Sequence, residues 1–395
     1  MFAEYIQQQL EQRQKAGLFR RRQVVEQSGV KLLVNDKKLT NFAGNDYLGL
    51  ANESQTVSES LSGASASPLV TGYHKLHQEL EQVMLDWVEA PNTHECLLFS
   101  SGFAANSGVI SALFNHKNAD ARLIQDKLNH ASLVDAGKHV QAMGHCRQYR
   151  FGHNDVNLLT NLMQDKTSIT ANNLLVTEGV FSMDGDSPDL SKMLTVANDY
   201  NAWFMLDDAH GIGVNGERGE GSFAKQQQHL NSTHILVITF GKAIGAQGAA
   251  VIADKSVIDY LTNFSKEYIY STHISPVQTQ LVLSNITKVQ QQQWRRIQLH
   301  HNIEYFKSLM AALPFTLLPS DSAIQPILVH NEALCMTMAE ALKQQGFWLG
   351  AMRYPTVAKG QARLRLTISA SHTEDDIKGL VQALALIGEQ YVREA

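Results

Sequence analysis

The strongest constraint on this chain is a series of short, unbroken apolar runs at residues 96–99, 122–124, 174–177, 203–206, 235–239 and 249–253. Between them lie stretches with helical spacing, near 104–114, 132–143 and 190–201. A run with no polar alternation fits a strand buried on both faces, and intervening helices let successive strands lie largely parallel. The expected fold class is therefore α/β, a large doubly wound, mostly parallel sheet covered by helices on both sides. In such sheets ligands collect beyond the carboxyl ends of the strands. The residues that follow each run are thus the ones to search for chemistry.

The flanks have other rhythms. Leu76, Leu80, Val83, Met84, Trp87 and Val88 recur every three or four residues and predict an amphipathic helix over 76–90. After about residue 277 a polar helical stretch containing Gln290 and Trp294 leads to a second alternation, with strand at 327–329, helix at 333–344 and strand at 364–368. That pattern predicts a smaller C-terminal α/β domain. Residues 4–15 are polar with sparse helical periodicity, followed by Phe19-Arg20-Arg21-Arg22 and a short strand at 32–34, which read as an N-terminal arm. The 395 residues divide as an arm and short strands over 1–50, a large domain over 51–290 and a small domain over 291–395.

Charge narrows the partners. The formal net charge is −5 and the two signs are interspersed, so no basic face is available for a nucleic-acid backbone. No apolar run reaches the roughly 18 residues that span a bilayer, and Met1-Phe2-Ala3-Glu4-Tyr5 lacks a basic start before an apolar block, so a cytoplasmic location is expected. Cys96, Cys146 and Cys335 are odd in number, far apart and outside any metal-ligand spacing, which predicts reduced, packed thiols and no metal.

Three strand ends carry candidate chemistry. The run 203–206 ends in Asp207-Asp208-Ala209-His210, and the run 235–238 ends in Thr239-Phe240-Gly241-Lys242. The run 96–99 leads through Ser100-Ser101 to Gly102-Phe103 and a helix start, a geometry whose free N–H groups suit phosphate. An enzyme that uses pyridoxal 5'-phosphate (PLP) needs these parts: a Schiff-base lysine, an acid for the pyridine nitrogen, a phosphate cradle and a group against the ring. Lys242, Asp207, Gly102 with Phe103, and His130 in Asn129-His130-Ala131-Ser132 are the candidates. His210 would reach the phenolic oxygen. Singly, each is also ordinary: Asp207 and His210 could cap a turn and bond each other, and a lone lysine after a strand is usually solvated. Gly211-Ile212-Gly213-Val214-Asn215-Gly216 has dinucleotide-type glycine spacing, but the glycine-rich loop that follows it opens no helix, so it is set aside.

In order along the chain, Asn45-Asp46-Tyr47-Leu48-Gly49-Leu50, Ser101-Gly102-Phe103-Ala104-Ala105-Asn106, Asn129-His130-Ala131-Ser132, Thr177-Glu178-Gly179-Val180-Phe181-Ser182-Met183-Asp184-Gly185, Asp207-Asp208-Ala209-His210 and Thr239-Phe240-Gly241-Lys242 resemble the α-oxoamine synthase family. The resemblance implies a fold-type I PLP enzyme that condenses an amino acid with an acyl thioester and releases carbon dioxide. It implies that His130 stacks on the ring and meets the substrate, Asp207 binds the ring nitrogen, and Ser182 and His210 contact the phenolic oxygen. Thr239 would bind phosphate, joined by Thr272 of a neighbouring subunit in a homodimer with shared sites. Lys242 would both carry the cofactor and take the α-proton. Arg353 would bind the substrate carboxylate, with Arg20 and Thr356 on the acyl chain. Phe19-Arg20-Arg21-Arg22, Thr177-Glu178-Gly179, Tyr270-Ser271-Thr272 and Met352-Arg353-Tyr354-Pro355-Thr356 followed by Ala362-Arg363-Leu364-Arg365-Leu366-Thr367 point to a member using L-alanine and a pimeloyl thioester, carried by CoA or by an acyl carrier protein. One segment departs from the family: Gly63-Ala64-Ser65-Ala66-Ser67 stands where a glycine-richer stretch is usual, and its alanines would reshape the acyl-binding wall.

Overall fold

The computed structural model describes residues 1–53, 61–118, 120–164 and 172–391. Its centre is a seven-stranded sheet: β1 (His94–Phe99), β2 (Arg122–Asp126), β3 (Arg147–Phe151), β4 (Asn173–Glu178), β5 (Trp203–Asp207), β6 (His234–Thr239) and β7 (Ala249–Asp254). The spatial order is β1-β7-β6-β5-β4-β2-β3. All neighbours are parallel except β7, which runs antiparallel to both β1 and β6. This is the α/β sheet that the apolar runs predict. Strand β3 has no such run, because Arg147-Gln148-Tyr149-Arg150-Phe151 buries only Phe151, whereas β1 at the opposite edge is buried along nearly its whole length.

Alternation along each strand divides the core between two faces. Phe204 and Leu206 of β5, with Leu236 and Ile238 of β6, pack on one side with Leu80, Met84 and Trp87 of the Lys75–Trp87 helix. Met205, Ile235 and Val237 point to the other, against Val109 and Ile110 of the Gly102–Leu113 helix and Leu133 of the Ala131–Ala142 helix. Cys96, Cys146 and Cys335 are free and buried, and burial pushes their thiols above the ordinary range, to about 11 for Cys146 and Cys335. They are packing residues, as the spacing suggests.

The polar stretch after residue 277 forms two helices, Pro276–Gln291 and Trp294–Met310. Beyond them, an antiparallel sheet joins Thr316–Leu317, Ile324–His330, Ala362–Thr367 and Gly350–Met352, backed by the helices Glu332–Gln344 and Glu374–Tyr391. The Glu26–Ser28, Lys31–Val34 and Lys37–Asn41 strands form a meander, and Lys37–Asn41 pairs in parallel with Phe347–Trp348. Residues 26–41 therefore share a sheet with the C-terminal layer. The Phe2–Lys15 helix ahead of them buries no residue. Among the described residues no helix is long and apolar enough to cross a membrane.

The loop after β4, which carries Ser182, is clamped from two sides. From the C-terminal sheet, Arg365 Nε donates to the Ser182 carbonyl at 2.7 Å, Arg363 pairs with Asp184, and Ser320 Oγ donates to the Gly185 carbonyl at 3.0 Å. From the large sheet, His153 bridges Asp126 Oδ1 at 3.1 Å and Asp186 Oδ2 at 2.8 Å. Burial opposes charge on His153, but the two carboxylates outweigh it and carry the imidazole up to about 10. In the unfolded chain it titrates near 6.5. The folded pKa is the higher one, so the clamp's contribution is complete below about pH 6.5 and is lost as pH rises through about 10. Melting curves from pH 7 to 10.5 should therefore fall more steeply for the natural protein than for His153→Gln. Parallel curves would remove the charged clamp.

Candidate active site

Strand register lines up the functional ends. Glu178 at the end of β4 pairs with Asp207 at the end of β5, and Asp207 pairs with Val237 of β6, two residues before Thr239. Asp207 is buried and held on both oxygens: Asn106 Nδ2 donates to Oδ2 at 2.6 Å and the Ala209 N–H to Oδ1 at 3.1 Å. Asn106 stands on the helix that opens at Gly102, and its Nδ2 also donates to Ser132 Oγ at 2.9 Å. Ser132 Oγ shares a 2.8 Å bond with His130 Nδ1, so a polar chain runs from Asp207 to the exposed His130 ring. Asp207 caps the local turn through the Ala209 N–H, but among the described residues it makes no bond to His210. Instead, His210 Nδ1 lies 2.6 Å from the Tyr47 hydroxyl. Burial, with the charges of Lys242, Arg365 and His130, holds His210 well below the usual histidine range, and the ring is neutral.

Asp208 points away. Ser222 donates to it from its N–H at 2.7 Å and its hydroxyl at 2.6 Å, and burial lifts the carboxyl to about 7. A Cβ on Gly211 would stand 2.1 Å from Asp208 Oδ1, so that glycine is required by close packing and not by a dinucleotide. The loop continues through turns to a single short helix at Ser222–Lys225.

Lys242 is half-buried in a tight turn closed by the Gly245 N–H on its carbonyl at 2.9 Å. Burial lowers its pKa, while the charges of Asp207 and Glu178 raise it and that of Arg365 lowers it again. The amine therefore loses its proton more readily than a surface lysine. At the Gly102 turn, Ser101 caps the helix by accepting from the Ala104 N–H at 3.2 Å. The Gly102 and Phe103 N–H groups have no acceptor among the described residues. A Cβ on Gly102 would lie 3.4 Å from the Thr239 side chain, so the turn and Thr239 wall one small space.

Three residues were not assigned a role from the sequence. Glu178 is 2 % exposed, burial beside Asp207 raises its pKa well above the carboxylate range, and its carboxyl accepts the His130 N–H. Its place at the end of an apolar run was the available signal. Tyr47 and Arg365 come from distant segments, and only the tertiary fold brings them to His210 and Lys242. Arg353 donates to the Gly17 carbonyl at the arm, Arg20 and Thr356 are exposed, and exposed Thr272 follows Tyr270, itself 79 % exposed. Ser182 is buried, its carbonyl on Arg365.

Two free N–H groups at a helix start, a buried carboxylate and a readily deprotonated amine are what a phosphorylated pyridine aldehyde requires, so the residues present fit PLP. A family model described as aminotransferase class I and II matches residues 37–384. The chain belongs to that family. This member of the aminotransferase class I and II family is 41% identical over 383 residues to an 8-amino-7-oxononanoate synthase of Aeromonas hydrophila, covering 95% of this chain and 92% of the relative. It is 40% identical to one of Vibrio cholerae, covering 98% of each. Among solved structures, a serine palmitoyltransferase from S. paucimobilis superposes with a TM-score of 0.85 at 23% identity, covering 98% of this chain and 97% of that one, which shows the fold. An 8-amino-7-oxononanoate synthase from Francisella tularensis matches with a TM-score of 0.75 at 26% identity, over 90% and 98%. The resemblance read from the motifs is thus borne out at the level of family and fold.

Proposed function

We propose that the protein catalyses the 8-amino-7-oxononanoate synthase reaction of biotin biosynthesis, the PLP-dependent condensation of L-alanine with a pimeloyl thioester, with release of carbon dioxide and the thiol. The observation that carries this reading is near-full-length identity of about 40% to relatives named for that activity, in a chain whose strand ends carry Asp207, Lys242 and the Gly102 turn.

Bound PLP supplies an electron sink for a carbanion on the amino acid's α-carbon. In the protein, Asp207 would hold the pyridine nitrogen, and Asn106 and Ala209 fix its direction. The Gly102 and Phe103 N–H groups with Thr239 would hold the phosphate, and His130 would lie against the ring. Ser182 and His210 would hold the phenolic oxygen. Lys242 anchors the cofactor and then, as a free amine, takes the α-proton at Nζ; burial supports this by lowering its pKa. Arg20 and Thr356 serve the acyl chain from the exposed arm and loop.

For the substrate carboxylate, Arg353 is the candidate, since its guanidinium keeps most of its donors free among the described residues. Arg353 uses only Nη2, on the Gly17 carbonyl, whereas Arg365 engages Nε on the Ser182 carbonyl, Nη1 on Thr367 and Nη2 on Asn45 and acts on Lys242, His210 and Tyr47 through its charge. Arg353→Lys should raise KM for L-alanine about tenfold and more than Arg365→Lys does. A larger effect of Arg365→Lys would move the role to Arg365.

Phe103, Leu69, Val70 and Tyr270 are large exposed apolar side chains, and the His273 N–H on the Ala66 carbonyl ties two of these segments together. Such exposure supports a homodimer in which Thr272 of a second subunit completes the phosphate site. Free, buried cysteines fit a cytoplasmic location. The decisive assay incubates the PLP-loaded protein with L-alanine or glycine and a panel of thioesters on CoA and on acyl carrier protein, with product masses measured. L-alanine with a pimeloyl thioester should give 8-amino-7-oxononanoate; preference for glycine with acetyl thioester would redirect the activity to a 2-amino-3-ketobutyrate ligase.

A further inference from the structure

Tyr47 is 1% exposed, and its hydroxyl sits 2.6 Å from His210 Nδ1. The other acceptor near the phenol, Asn45 Oδ1, is 3.3 Å away, beyond the usual O–H···O range of roughly 2.5–3.0 Å. That amide oxygen also faces Arg365 Nη2 at 3.4 Å. The phenol's proton thus has one good acceptor, the Nδ1 lone pair. An imidazole that accepts at Nδ1 must, when neutral, carry its proton at Nε2. His210 Nε2 itself has no hydrogen-bond partner among the described residues, and Lys242, Arg365 and His130 surround the ring.

We propose that Tyr47 is a positioning residue that fixes His210 as its Nε2–H tautomer, so that the ring presents a hydrogen-bond donor beside Lys242. Two electrostatic facts support the arrangement. Burial pushes the Tyr47 phenol up to about 12, so it keeps its proton at any working pH, and the facing Arg365 guanidinium polarises it as a donor. Burial and three neighbouring cations or potential cations keep His210 neutral, so the tautomer is a real choice and not an average over imidazolium. The consequence rests on the PLP reading above: a donor at Nε2 holds an anionic phenolic oxygen on the cofactor ring, whereas the other tautomer would oppose lone pair to lone pair. The sequence offered no sign of this, since Tyr47 and His210 come from different ends of the fold.

Nitrogen-15 NMR of histidine-labelled, PLP-loaded protein reads the tautomer directly, with the His210 signals identified by their loss in His210→Gln. The expected spectrum has a proton-free Nδ1 and a protonated Nε2 for His210, and Tyr47→Phe should lose that pattern in favour of Nδ1–H or a mixture. The visible absorption of bound PLP should shift in the same variant. A protonated Nδ1 in the natural protein, or an unchanged tautomer in Tyr47→Phe, overturns the proposal. Should Tyr47→Phe not fold, the natural protein's spectrum still decides whether Nδ1 is the acceptor. The tautomer is measured without substrates, so a failed condensation assay and a failed tautomer assignment are separate results.

Discussion

Replacing Lys242 by alanine is expected to abolish the visible absorption of covalently held PLP and to cut turnover by roughly a thousandfold or more, while the melting temperature stays close to that of the natural protein. Lys242 combines two duties, so its loss removes both the anchor and the base. Its amine lies among Asp207, Glu178 and Arg365, and burial already lowers its pKa, so truncation deletes a strained charge without opening the hydrophobic core. Spectrum and turnover are the paired measurements. Near-normal turnover with intact absorption would refute the assignment. Adding methylamine offers a further check, since a small amine entering the vacated space should restore part of the proton transfer but not the anchoring.

Asp207→Asn should leave PLP covalently attached and yet lower kcat by roughly 100- to 1,000-fold. The substitution keeps side-chain volume but leaves one acceptor oxygen for Asn106 and the Ala209 N–H, and it removes the carboxylate that would stand against the ring nitrogen. A loss of rate with retained absorption therefore separates an electronic role from a structural one. The account also predicts its asymmetry with the neighbouring carboxylate. Asp208 is enclosed by Ser222 and Gly211, so Asp208→Asn should act on stability more than on kcat. If Asp207→Asn kept full kcat while Asp208→Asn lost it, the two roles would have to be exchanged.

What could be read from the residues follows from where the physics is local. Burial on both faces writes itself into sequence as an unbroken apolar run, which is why β1, β2, β4, β5, β6 and β7 were legible and the edge strand β3 was not. Strand-end chemistry is local too, so Asp207, His210, Lys242 and the Gly102 turn could be found by looking past each run. Arg365 and Tyr47 lie outside that logic. Arg365 sits within the buried Ala362–Thr367 strand of another sheet, and its guanidinium reaches the site only because that strand packs on the Ser182 loop. Tyr47 follows the N-terminal meander and meets His210 across 163 positions of sequence. The short strands Phe347–Trp348 and Gly350–Met352 are too brief to carry a period, and their pairing is set by partners.

The central claim, that this strand-end cluster holds PLP through Lys242, is tested most directly by reducing the PLP-loaded protein with borohydride, digesting it and mapping the modified residue by mass spectrometry. The account predicts a phosphopyridoxyl group on the peptide containing Thr239-Phe240-Gly241-Lys242, at Lys242. Modification of a different lysine, or none under conditions where PLP is bound, would contradict it.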